Sequence, residues 1–134
     1  MMPDTELNEI DEMYREHILD HYQNPRHCGR ILKPSLYHKE LNPSCGDEIE
    51  LSIRINNGTV KEAKFAGHGC AISQAAASML MEKIQGKAVK TVMQMTKEEM
   101  LELLAIPISA VRIKCALLAL RTLEKGLLTY DMRK

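Results

Sequence analysis

From Ile49 the chain alternates strictly, with Ile49, Leu51, Ile53 and Ile55 apolar and Glu50, Ser52 and Arg54 polar. That is the period of a strand with one buried face. Asn56-Asn57-Gly58 follows and supplies residues suited to left-handed backbone, so a tight hairpin turn should lead into a second strand through Val60, Ala63 and Phe65. The apolar parity changes between Val60 and Ala63, which predicts a bulge there. A weaker strand over 36–41 completes a three-stranded antiparallel sheet. Ahead of it, Leu7, Ile10, Tyr14, His17 and Ile18 recur at helical spacing until Asn24-Pro25, because the residue before a proline disfavours helix. After Cys70 the period becomes helical again through Ile72, Ala75, Ala76, Met79, Leu80 and Ile84, stopping near Gly86. The small alanines imply close packing.

Thr96 followed by Glu99 resembles a capping box that opens a short helix through Met100, Leu103 and Leu104. A final helix is expected to start near Pro107, run through Val111, Cys115 and Leu118, and end about Gly126. Strands first and helices after predict an α+β fold: a three-stranded antiparallel sheet with helices packed on one face, an N-terminal helix and a C-terminal helix pair. No repeat or linker interrupts residues 1–134, so a single domain is expected.

Charge narrows the function classes. Eighteen basic residues balance eighteen acidic ones, which leaves no whole-chain footprint for nucleic acid or an anionic membrane. The start, Met1-Met2-Pro3-Asp4-Thr5-Glu6, is acidic where a secretory signal is basic, and no apolar run reaches membrane-spanning length. A cytoplasmic location is expected. In a reducing cytoplasm the four cysteines read as thiols, metal ligands or sulfur carriers rather than disulfides.

Three of those cysteines and one aspartate carry the chemistry: Cys45, Asp47, Cys70 and Cys115. Three soft thiolates and one hard carboxylate make a four-coordinate metal site, and the oxygen donor suits zinc or iron less well than a fourth sulfur, which fits a centre that exchanges its contents. Gly46 permits a turn that aims Cys45 and Asp47 inward. Cys70 falls at a sheet-to-helix junction, where the positive end of the helix dipole lowers a thiol pKa. Cys115 lies early in the last helix on the face of Val111 and Leu118, with Arg112 and Lys114 close in sequence to favour a thiolate. Each has a duller reading: a buried cysteine is often only a small hydrophobe, and Asp47 fits equally well as a turn cap. Cys28, in a polar turn, reads as a surface or structural thiol. His68 reads as a loop histidine rather than a ligand, and His17 and His21 need no metal near the end of their helix. The nine methionines read as core filling.

The residues around the ligand candidates are more specific than their spacing. Asn42-Pro43-Ser44-Cys45-Gly46-Asp47, the Gly67-His68-Gly69-Cys70-Ala71-Ile72-Ser73-Gln74-Ala75 run and Arg112-Ile113-Lys114-Cys115 resemble the IscU/SufU family of iron-sulfur cluster assembly proteins, also called NifU-like N-terminal domains. Tyr14-Arg15 and Asp20-His21-Tyr22-Gln23-Asn24-Pro25-Arg26 extend that resemblance over essentially the whole chain. It implies that Cys45, Asp47, Cys70 and Cys115 converge on zinc or on a nascent, transient [2Fe-2S] cluster. It also implies sulfur received from a pyridoxal-phosphate cysteine desulfurase and delivery to a cluster carrier or apo iron-sulfur protein. IscU-type scaffolds carry histidine before the last cysteine and a Leu-Pro-Pro-Val-Lys segment, where this chain has Lys114 and Ile108-Ser109-Ala110-Val111-Arg112. These motifs are nearer the SufU branch, although the Cys70 to Cys115 interval is too short to hold the helical insertion usual there.

The leading expectation is therefore a cluster-assembly scaffold and zinc-binding sulfur acceptor. Cys45 or Cys115 is the acceptor, and Cys45 is preferred because a loop thiol moves more freely toward a partner. The alternative is a structural zinc domain that only binds proteins. A stand-alone enzyme is not expected, because the motifs assemble no nucleophile with its own base and oxyanion site.

Overall fold

The alternation at 49–55 becomes the middle strand of the sheet. In the computed structural model, which describes residues 16–43, 46–105, 108–110 and 112–132, strands β1 (Leu36–Asn42), β2 (Asp47–Asn56) and β3 (Thr59–His68) form an antiparallel sheet in the order β1-β2-β3. Asn57 and Gly58 take left-handed φ angles of 53° and 72° in the two-residue turn. Arg54 pairs with Glu62 and Ile55 with Val60, which leaves Lys61 as the extra residue of the expected bulge.

Among the described residues five helices accompany the sheet: α1 over 16–23, α2 (Ala71–Ile84), α3 (Val89–Met93), α4 (Lys97–Leu104) and α5 (Ile113–Met132). Ile49, Leu51, Ile53 and Phe65 meet the apolar residues of α2 and α5 in one core, with Leu80, Met81, Leu118 and Leu120 among the buried side chains. Ala75, Ala76 and Ala77 are all fully buried, so α2 is covered on more than the one stripe read from its sequence. Thr96 caps α4 by accepting the Glu99 N–H at 3.2 Å, as expected.

Three features differ from the sequence reading. The polar side chains of β2 are not all solvated: Glu50 and Ser52 are buried, because residues 27–35 cross that side of the sheet. Gly29 N–H donates to the Phe65 carbonyl at 2.8 Å and Ile31 N–H to Ser52 Oγ at 3.0 Å, while Arg30 pairs with Glu50. The short α3 was not anticipated at all. The last helix begins at Ile113 rather than near Pro107, which lies outside the described residues, and it continues through Gly126 to Met132. Gly126 is a packing glycine, not a stop: a Cβ there would sit 2.9 Å from Leu36 Cδ2 and 3.2 Å from His38 Cβ. Its lack of a side chain brings α5 down onto β1.

α1 is tied to α2 through a buried histidine. His21 is 4% exposed, its Nδ1 is 2.8 Å from Ser78 Oγ, and the same hydroxyl accepts the Arg26 N–H at 2.8 Å. Burial foremost, then Arg26 and His17, lower the His21 pKa from its ordinary value of 6.5, against a weaker pull upward from Glu82 and Asp20. The unfolded chain therefore takes up this proton first, and His21 contributes stability above about pH 6.5 that is lost as pH falls below it. Urea melts between pH 8 and 5 should show that loss, and His21→Gln should flatten it.

Candidate metal centre

The site forms where β2 begins, β3 ends and two helices start. Asp47 is the first residue of β2 and lies opposite Asn42, the last of β1, across the short loop that holds Gly46 at a left-handed φ of 69°. Cys70 follows β3 and is the N-cap of α2, where its sulfur accepts the Ser73 N–H at 3.5 Å. Cys115 is in the first turn of α5 and is fully buried. One ligand atom from each of Asp47, Cys70 and Cys115 lies within 4.8 Å of the others. Residues 23 and 68 positions apart in sequence from Asp47 thus share one small volume. Cys45, the fourth candidate, lies outside the described residues.

The two oxygens of Asp47 have different partners. Oδ1 accepts the Cys70 N–H at 2.8 Å, with the Ser73 hydroxyl 3.3 Å away. Oδ2 faces the Asn42 amide at 3.4 Å. Oδ1 is thereby engaged by the N-terminus of α2, where exposed N–H groups and the dipole favour a negative charge, and Oδ2 is the oxygen with a lone pair to offer. Cap and ligand are compatible roles for this carboxylate, which is only 1% exposed. Arg112 lies close enough to the cysteines that their attraction, that of Cys70 foremost and then Cys115, raises its pKa. Lys114 is on the exposed side of the helix.

The remaining candidates fall outside the cluster. Cys28 is exposed, and His68 is 72% exposed and 3.2 Å from the Glu48 carboxylate. A groove of about 240 Å³ lined by Val92, Met93, Leu123 and Leu127 shares no residue with the cluster. Asn42 and Ser73 were part of the motifs without a role being read for them. For Asn42 the signal was the hairpin itself, since residues that end paired strands opposite each other point to the same face.

Two thiols and a carboxylate at this separation suit zinc, whose bonds to sulfur are about 2.3 Å and to oxygen about 2.0–2.2 Å. Three donors leave one tetrahedral position for a further ligand. No helix among the described residues is long and apolar enough to cross a membrane.

Residues 13–134 match the NifU-like N-terminal domain family. The chain is 38% identical to the zinc-dependent sulfurtransferase SufU of Bacillus subtilis strain 168, with 87% of this chain and 90% of that protein aligned. It is 34% identical to the iron-sulfur cluster assembly scaffold protein IscU of Thermotoga maritima, with 86% and 92% aligned. A crystal structure of a proposed cluster assembly scaffold for the SUF system, from Fervidobacterium islandicum AW-1, superposes with a TM-score of 0.75 at 30% identity and covers 87% of this chain and 98% of that one. The N-terminal part of a NifU-like protein from Brucella abortus, at 17% identity and a TM-score of 0.76 over 93% of this chain and 99% of that one, shows the same fold.

Proposed function

The chain belongs to the NifU-like N-terminal domain family, and from that membership and the geometry of its site we propose that it acts in iron-sulfur cluster assembly as a zinc-binding sulfur acceptor and scaffold. The observation that carries the reading is the convergence of Asp47, Cys70 and Cys115 within 4.8 Å. Cys45 completes the ligand set, since a separation of two residues holds its Cα within about 7 Å of that of Asp47. When bound, zinc supplies a charge that keeps the coordinating thiols deprotonated at neutral pH.

The chain's own residues do the rest. Asp47 is fixed at one oxygen and presents the other, Cys70 is oriented as a helix cap, and Cys115 is held rigid by the core around it. Cys45 lies in sequence between β1 and β2, and it is the thiol we assign to meet a partner. Its thiolate attacks the outer sulfur of a persulfide carried by a pyridoxal-phosphate cysteine desulfurase. The bond between the desulfurase's two sulfurs breaks, the desulfurase leaves as a thiolate, and Cys45 becomes the persulfide with no net oxidation. Arg112, beside Cys70 and Cys115, offers a positive charge to the anionic sulfur gathered there. A transient [2Fe-2S] cluster is the cargo that three thiolates and a carboxylate would release to a carrier or apo protein.

Anaerobic incubation with ferrous iron, cysteine and a cysteine desulfurase tests the reading. The expected result is faster desulfurase turnover together with a cluster absorption that grows with time. A chain that holds zinc but changes neither would be a structural zinc domain instead.

A further inference from the structure

Asn42 is nine-tenths buried and more, at 4% exposed, yet it carries a polar side chain at the closed end of the β1–β2 hairpin. Its Nδ2 is 3.4 Å from Asp47 Oδ2 and 3.8 Å from Cys115 Sγ. A primary amide has two N–H donors diverging from one nitrogen, so a single side chain spans the hard donor and one soft donor. The other oxygen of Asp47 is already taken by the Cys70 N–H at 2.8 Å. Asn42 is therefore the contact that orients the oxygen left for a metal.

We propose that Asn42 is a positioning residue of this centre, whose amide holds Asp47 Oδ2 and Cys115 Sγ in a fixed relation and so sets how fast the centre gives up its metal. The proposal rests on reading the cluster as a zinc centre. Two effects oppose each other. Donation to a carboxylate or thiolate withdraws electron density and weakens the donor, while orientation of the ligand strengthens binding. Loss of such an outer partner typically costs about 10–100-fold in metal affinity, so orientation is the larger effect. An aspartate at position 42 would match the shape but offer no N–H, and would set a second carboxylate against Asp47. The register that pairs Asn42 with Asp47 makes this contact a product of strand pairing.

Cobalt(II) in place of zinc makes the thiolates visible through their charge-transfer absorption. Parent, Asn42→Ala and Asn42→Asp should be loaded with cobalt anaerobically and their bands compared, and the zinc-loaded forms challenged with a chelator. Removing the N–H from Cys115 leaves its sulfur more electron-rich, so in both variants the band should move to lower energy. Zinc release should accelerate by about 10–100-fold. A role confined to packing would lower the melting temperature and leave the band in place. The isosteric Asn42→Asp decides the matter if Asn42→Ala does not fold. Bands that coincide with the parent's and release rates within about twofold overturn the proposal. A parent with no thiolate-to-cobalt band would overturn the zinc reading itself.

Discussion

Asp47→Ala should lose zinc to a chelator far faster than the parent, with affinity falling by more than the roughly 10–100-fold that an outer partner costs. Asp47→Asn should do nearly the same, because an amide oxygen is a weaker, uncharged donor. The two variants part in their metal-free stability. The part-buried Cys70 N–H loses its 2.8 Å acceptor in the alanine variant and keeps one in the asparagine variant. A donor left without a partner costs about 1–3 kcal/mol when fully buried and less where water reaches it, so Asp47→Ala should be less stable than Asp47→Asn by about 1 kcal/mol. Equal melting would mean that Oδ1 does not cap α2. Full zinc retention in both would remove Asp47 from the ligand set.

Adding one methyl group at Gly69 should be nearly as damaging. Gly69 has a φ of +146°, and its Cβ would overlap the Asp47 carboxylate and lie 2.9 Å from Asp47 Cα. Backbone strain of about 1–3 kcal/mol and overpacking of similar size would fall on the contact that brings β2 and the start of α2 together. Gly69→Ala should therefore lower stability by several kcal/mol and release zinc together. Gly58→Ala is the control, since its φ of +72° carries strain while its Cβ meets nothing within 4 Å. It should lose only the strain and hold zinc like the parent.

The sheet was legible because β2 spells its period with four alternating apolar residues, and the parity break before Ala63 located the bulge. The burial of Glu50 and Ser52 was not, because it depends on residues 27–35 returning across the sheet, and that segment has no periodic pattern. α3 is five residues long, shorter than two helical turns, and leaves no repeat to read. Gly126 misled because a glycine late in a helical run signals a stop, whereas here it makes room for Leu36 and His38. At the site, Asp47, Cys70 and Cys115 came from their motifs, and the structure brings those three together. The division of labour between the two Asp47 oxygens could not be read, since it follows from the register of β1 on β2 and from where α2 begins.

The proposed function turns on Cys45 as the thiol that takes up sulfur. The direct measurement is the mass of the intact protein, without reductant, after brief anaerobic exposure to a cysteine desulfurase and cysteine, followed by peptide mapping. The parent should gain one sulfur atom on Cys45, and Cys45→Ser should gain none while its circular dichroism still shows the parent's secondary structure. Undiminished sulfur uptake by Cys45→Ser, or a persulfide mapped to Cys115 in the parent, would contradict it.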